Sequence, residues 1–191
     1  MTSFIPIFQL PKEEYIQTNS GNLISRKCSI IKPQSVELPG GKCVILDDVD
    51  LKGDLAPIKI EKYCQIKNHT TLQPCCMVNT SSSSAKDKAS MKYISLTIGA
   101  YTVIGRSCLI QSASIGLGCT IGNNCTLGEH SILKDHVHVD DNTIIPADMV
   151  IPPFAVVRGT PGQIVGFVCE SAATTARDIA LLRYKSFVLV E

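Results

Sequence analysis

Aliphatic residues recur every six positions along most of this chain. The run passes through Ile98, Ile104 and Ile110 and takes one five-residue step. It continues through Ile115, Ile121, Leu127, Leu133, Val139, Ile145, Ile151 and Val157. Glycine often follows the aliphatic residue, as at Gly99, Gly105, Gly116, Gly122 and Gly128. A smaller residue often stands two positions before it: Thr102, Cys108, Ala113, Cys119, Cys125, Ser131, Thr143 and Ala155. Six residues rotate an α-helix by about 600°, well off a whole number of turns, so no helix face collects this pattern. An even period keeps one side-chain face in extended segments. Short strands turned at every sixth residue and stacked as a parallel β-helix satisfy it. One coil cannot bury its aliphatic residues alone. Stacked coils place like over like, and each burial contributes roughly 1.5–3 kcal/mol.

The pattern begins more weakly. Val36, Leu38, Ile45 and Leu51 are expected to point inward, with Pro39-Gly40-Gly41 as a turn. The phase slips before Ile60, then holds through Ile66 and Leu72. Residues 1–25 read as an irregular N-terminal arm that docks near Tyr15 and Ile16 and turns at Ser20-Gly21-Asn22. From Pro74 to Lys92 the pattern vanishes, and Ser81–Ser84 with Lys86-Asp87-Lys88 predict a flexible excursion over about 74–95. Arg158-Gly159-Thr160-Pro161-Gly162 ends the repeat. Beyond it Leu181, Tyr184 and Val188 fall at i, i+3 and i+7, with Ser171 placed as an N-cap. The expected architecture is all-β: a single-stranded parallel β-helix over 26–162, followed over 163–191 by a C-terminal α-helix. That helix is expected to cover a face or the last coil, because open coils expose apolar side chains and unpaired backbone.

Composition narrows the class. The 191 residues suffice for one domain with a core, and 45% hydrophobic against 18% charged content excludes a disordered chain. A net charge of +1 and the lack of Trp leave neither a basic patch nor a stacking platform for nucleic acid. The apolar run Ile144–Val157 is cut by Pro146, Pro152 and Pro153, so no membrane insertion is expected. The N-terminus has no basic start and is broken by Pro6 and Pro11, unlike a signal peptide. Of nine cysteines, Cys43, Cys64, Cys108, Cys119 and Cys125 stand two residues before Ile45, Ile66, Ile110, Ile121 and Leu127. They are expected to be buried thiols in the core. The odd count argues against a disulfide framework. Cys75 and Cys76 are adjacent and no CxxC occurs, which gives a zinc site no support.

The remaining candidate chemistry is sparse. The histidines are His69, His130, His136 and His138. His136 and His138 alternate with the inward residues Val137 and Val139, so both are expected to face solvent without a third metal ligand. Asp47-Asp48-Val49-Asp50 and Asp140-Asp141 are expected to be solvated corner residues rather than cation sites.

Units such as Ile98-Gly99-Ala100-Tyr101-Thr102 and Ile121-Gly122-Asn123-Asn124-Cys125 resemble the left-handed β-helix, hexapeptide-repeat superfamily. Longer segments narrow the resemblance to the dynactin subunit 5 family. They are Glu14-Tyr15-Ile16-Gln17-Thr18, Ser20-Gly21-Asn22, Ile24-Ser25-Arg26, Gly53-Asp54-Leu55-Ala56, Asp141-Asn142-Thr143-Ile144-Ile145-Pro146 and Val150-Ile151-Pro152-Pro153-Phe154. Gly159 and Pro161-Gly162 follow. The resemblance implies a left-handed coil. It also implies a non-catalytic structural subunit of the dynactin pointed-end complex, supporting dynein-dependent, microtubule-based transport and cargo-adaptor docking. The implied partners are dynactin subunit 6, the pointed-end actin-related protein, other dynactin subunits and dynein cargo adaptors. The implied location is the cytoplasm and cytoskeleton, centrosome or kinetochore included, with no cofactor and no catalytic, cofactor-binding or metal residue.

Two enzyme groups of the superfamily supply the alternatives. γ-Class carbonic anhydrases hold zinc with three histidines; those positions fall here on Gln73, Ala100 and Gly105. Catalytic zinc needs about three protein ligands, and none of these is one. The arginine of that group's turn is Lys52, which lacks the bidentate fork. β-Helical acyltransferases use a histidine base, for which His130 is the candidate here.

Overall fold

A computed structural model describes residues 7–78 and 91–190. Three parallel sheets wrap one apolar interior as a left-handed β-helix of about six turns. The first face carries Leu23–Ser25, Val44–Ile45, Gln65–Ile66, Val103–Ile104, Thr120–Ile121, His138–Val139 and Ala155–Arg158. The second runs from Ser29–Ile31 to Ile144–Ile145, and the third from Val36–Glu37 to Val150–Ile151. The register is the hexapeptide pattern made visible. Ile66, Ile104, Ile121, Val139 and Val157 stack on the first face. Leu51, Leu72, Ile110, Leu127 and Ile145 stack on the second. Ile60, Ile98, Ile115, Leu133 and Ile151 stack on the third. All are at most 2% exposed.

Most corners place one residue in the left-handed region. Asp48, His69, Ser107, Asn124 and Asn142 take it between the first and second faces, all with positive φ. Asn, Asp and His tolerate that conformation best among residues with a Cβ. Beside these corners the coils approach closely. A Cβ on Gly105 would lie 2.1 Å from the Gly122 carbonyl oxygen, so no side chain fits there.

The small position inside several corners has a polar task as well. Cys64 Sγ donates to the Gly99 carbonyl, Cys108 to Gly122, Cys119 to Lys134 and Cys125 to Asp140, each at 3.1 Å. Cys43 reaches Glu61 at 2.9 Å. Thr70 and Thr102 do the same with hydroxyls, to Gly105 at 2.8 Å and Gly116 at 2.9 Å. A thiol or hydroxyl thus satisfies a corner carbonyl of the next coil in an otherwise apolar interior. The five expected core cysteines all lie in the main cluster. One small position departs from the reading. At the five-residue step Ser112 is fully buried and Ala113 only partly, because the shortened corner rotates inward one residue early.

The ends of the chain meet on the outside of the first face. Tyr15–Gln17 and Leu23–Ser25 form an antiparallel hairpin around the expected turn. The arm is more regular than expected: Phe8–Pro11 is also a strand, paired in parallel with Phe187–Val190. The helix spans Ser171–Ser186, so Val188 belongs to that strand and not to the helix. Glu170, not Ser171, holds the N-cap, and no side chain caps it. Leu10, Tyr15, Leu23, Val44 and Phe187 form a second small core beneath this pair. Tyr184 Oη donates to the Gly21 carbonyl at 2.6 Å and locks the helix to the arm's turn. The excursion is described only at its base, where Cys76–Val78 pairs antiparallel with Met91–Tyr93; Ser81–Ser84 and Lys86-Asp87-Lys88 lie outside the described residues. No described helix is long and apolar enough to cross a membrane.

Candidate interaction surface

The residues that occupy the catalytic positions of enzymatic relatives have other partners. Lys52 Nζ donates to Gln73 Oε1 at 2.9 Å. Ala100 is buried, and Gly105 lies against the next coil. Among the described residues no three His, Cys, Asp or Glu side chains converge for a metal ion.

The histidines separate into different roles. His69 is exposed, 3.6 Å from Asp48, and His138 is 3.2 Å from Asp140. His130 has both ring nitrogens engaged: Nε2 is 3.1 Å from the Cys76 carbonyl, and Nδ1 is 3.3 Å from Asp148. It ties the base of the excursion to the stack. His136 does not face solvent as expected. Its ring stacks on Phe154 with centroids 5.2 Å apart and lies over Gly118, where a Cβ would come within 2.6 Å of Nδ1. The helix covers this side: Ala176 stands 3.5 Å from the same point. Strand alternation pointed His136 outward, and the helix then roofed it over.

The acidic corners are structural as well. Asp47 is less solvated than expected. Its Oδ1 accepts hydrogen bonds from Tyr15 at 2.9 Å and Ser25 at 2.6 Å, so it ties the arm to the second coil. Burial alone raises its carboxyl pKa, but the Ser25 and Tyr15 hydroxyls, with Lys27 and His69 nearby, outweigh this and hold it below the ordinary value. Burial and the same Asp47 push the Tyr15 phenol up. Asp140 pairs with Arg158, and Asp141 accepts the Asn123 backbone N–H.

The two ends of the stack differ. Beside the inward positions an N–H of one coil donates to the following coil: Gly116 to Leu133 at 2.9 Å, Lys134 to Ile151 at 3.0 Å, Gly128 to Ile145 at 2.9 Å; corner N–H groups donate back, as from Asn124 to Arg106 and from His136 to Leu117. In the last coil these donor positions are Pro146 and Pro152, which have no N–H to offer. The turn at 159–162 then seals the second face, with Ile144 N–H on the Gly159 carbonyl and Gly162 N–H on that of Ile144. Gln163–Phe167 folds back antiparallel over the first. Ile145, Ile151 and Val157 are consequently fully buried although they close the stack. Thr143 Oγ1, the next member of the corner ladder, is buried there without a partner.

The opposite end is open. The inward residues of the first coil, Ile24, Cys28, Ile30, Val36 and Leu38, are only half-buried and form the rim of the main core. Ser29–Ile31 and Val36–Glu37 are the outermost strands of their sheets. Ile31 is 45% exposed on that edge. Sequence reading began the inward ladder at Val36 and so missed this rim, although Ile24, Ile30 and Val36 continue the same six-residue period.

Comparison with known proteins decides the family. The sequence model of dynactin subunit 5 matches residues 7–191. This chain belongs to the dynactin subunit 5 family. A curated dynactin subunit 5 of Dictyostelium discoideum is 38% identical over 105 residues, 55% of this chain and 48% of that protein. The chain thus spans about half the length of the curated relative it matches. Among solved structures, a hexapeptide transferase family protein from Anaplasma phagocytophilum superposes with a TM-score of 0.55 at 13% identity, covering 83% of this chain and 89% of that one. The acetyltransferase domain of PglB from Neisseria gonorrhoeae, solved with acetyl coenzyme A, gives 0.57 at 14% identity over 75% of this chain and 57% of that one. PerB from Caulobacter crescentus, solved with CoA and GDP-perosamine, gives 0.56 at 15% identity over 76% and 57%. At these identities the likeness concerns the fold.

Proposed function

We propose that this chain is a non-catalytic structural subunit of the dynactin pointed-end complex. There it supports dynein-dependent transport and helps present a docking surface to cargo adaptors. The reading rests on family membership and on one observation, the open first coil. A soluble β-helix is expected to cover both ends of its core. Here one end is sealed by prolines and a returning strand, while the other presents half-buried aliphatic side chains and the outermost strands of two sheets. That surface suits permanent contact with another subunit. The partners in this reading are dynactin subunit 6, the pointed-end actin-related protein and other dynactin subunits, in the cytoplasm and on the cytoskeleton. The acyltransferase alternative draws on the fold alone, and its candidate base, His130, is held at both nitrogens. Affinity purification of the full chain from its native cell, with metal analysis of the product, tests the proposal. Recovery with dynactin subunits and without stoichiometric zinc is expected. A zinc-loaded homotrimer free of dynactin components would overturn it.

A further inference from the structure

The outside of the first face carries two grooves that meet at Lys67. One, of about 570 Å³, runs beside the helix past Gly105, Gly122 and Arg183. The other, of about 450 Å³, takes in Phe8, Leu10, Arg106 and Phe187 beside the N-terminal strand. Lys67 and Arg183 are half-buried, and Arg106 is exposed. Among the described residues no ion pair includes any of these three cations. Asp140 and Asp141 line the first of these grooves as well, but both are engaged: Asp140 meets Arg158 and His138, and Asp141 accepts from Asn123. Burial, then Arg183 and Arg106, hold the Lys67 ammonium below its ordinary value, with Asp141 opposing; burial acts likewise on Arg183. Converging, partly desolvated like charges destabilise a fold unless a counter-charge arrives.

We propose that this double groove binds an extended acidic segment of a partner protein. One carboxylate seats among Lys67, Arg106 and Arg183, and a neighbouring apolar side chain lies against Phe8. Phe8 is 45% exposed and Ile7 beside it 73%, so the cationic site adjoins an uncovered apolar wall. That combination fits a peptide rather than a free inorganic anion. Residues 1–6, Met-Thr-Ser-Phe-Ile-Pro, contain no acidic side chain and cannot supply the counter-charge. The grooves lie apart from the open first coil, so the inference stands or falls independently of the dynactin reading.

Fluorescence anisotropy on the full chain tests it, using a labelled synthetic peptide of alternating Leu and Glu and its Gln-for-Glu twin. Saturable binding of the Glu peptide that weakens with added salt is expected. The Gln twin should bind at least about tenfold more weakly, the scale of a lost charge-assisted hydrogen bond. Lys67→Gln and Arg183→Gln should each weaken binding by about tenfold, while Lys59→Gln on the third face leaves it unchanged. Melting of both groove variants should stay at or above that of the parent chain, because like-charge repulsion is relieved. If Arg183→Gln does not fold, Lys67→Gln alone decides. Equal affinity for the two peptides, indifference to Lys67→Gln, or displacement by inorganic phosphate at matched ionic strength would overturn the proposal.

Discussion

Ile121 shows what one inward residue does in this fold. It stacks between Ile104 and Val139 at 2% exposure, with neighbours above and below that cannot collapse into a vacancy without breaking their own ladders. Ile121→Ala should therefore cost about 4 kcal/mol, near the upper part of the large-to-small range, measured by chemical denaturation. Asn123→Ala removes one exposed side-chain acceptor for the Arg106 N–H and should cost less than about 1 kcal/mol. Asp47 sets a pH dependence. Its folded pKa lies below the unfolded value, so its contribution is complete above the ordinary Asp value of about 3.9. It is lost as pH falls through the depressed folded value. Asp47→Asn should lower stability at neutral pH and flatten the acid limb of the stability profile. Tyr15→Phe should cost about 1 kcal/mol through the lost hydrogen bond. An acid limb unchanged by Asp47→Asn would remove this account of how the arm is held.

Among the elements, the legible ones are those whose neighbours repeat. Each strand of the stack lies on a copy of itself, so the six-residue period carries fold, register and core together. The strand Phe187–Val190 was not legible as such. Its partner, Phe8–Pro11, sits at the other end of the chain, and Val188 happens to continue a helical spacing from Leu181 and Tyr184. His136 was misplaced for a related reason, since strand alternation points a side chain outward but does not reveal what packs there. The prolines of the last coil were visible, yet their meaning needed the direction of the ladders. Pro146 and Pro152 stand where earlier coils place a donor. Restoring the N–H groups with Pro146→Ala and Pro152→Ala should leave folding stability within about 1 kcal/mol. It should also allow edge-to-edge association, visible as a concentration-dependent shift in sedimentation velocity. A double variant that stays as monodisperse as the parent would show that the returning segment 159–167 alone closes this end.

For the whole molecule, the decisive property is the difference between the two ends of the stack. Composition and periodicity describe an interior that is the same in every coil and say nothing about how it ends. Only the assembled ladders show that the last coil is sealed while the first leaves Ile24, Ile30, Val36 and Leu38 half-buried. If the first coil is where another subunit attaches, charge placed there should separate assembly from folding. Ile30 lies at the rim, where water already reaches part of its surface, so Ile30→Glu should destabilise the isolated chain much less than Ile121→Ala does. In the native cell the same change should strip dynactin subunits from the affinity-purified chain, because an uncompensated carboxylate would be buried in the contact. Val150→Glu provides the matched change at the sealed end, where Val150 is 54% exposed. It should leave recovery of subunits intact. Loss of partners with Val150→Glu and retention with Ile30→Glu would place the attachment at the proline-closed end. The half-buried first coil would then need another explanation.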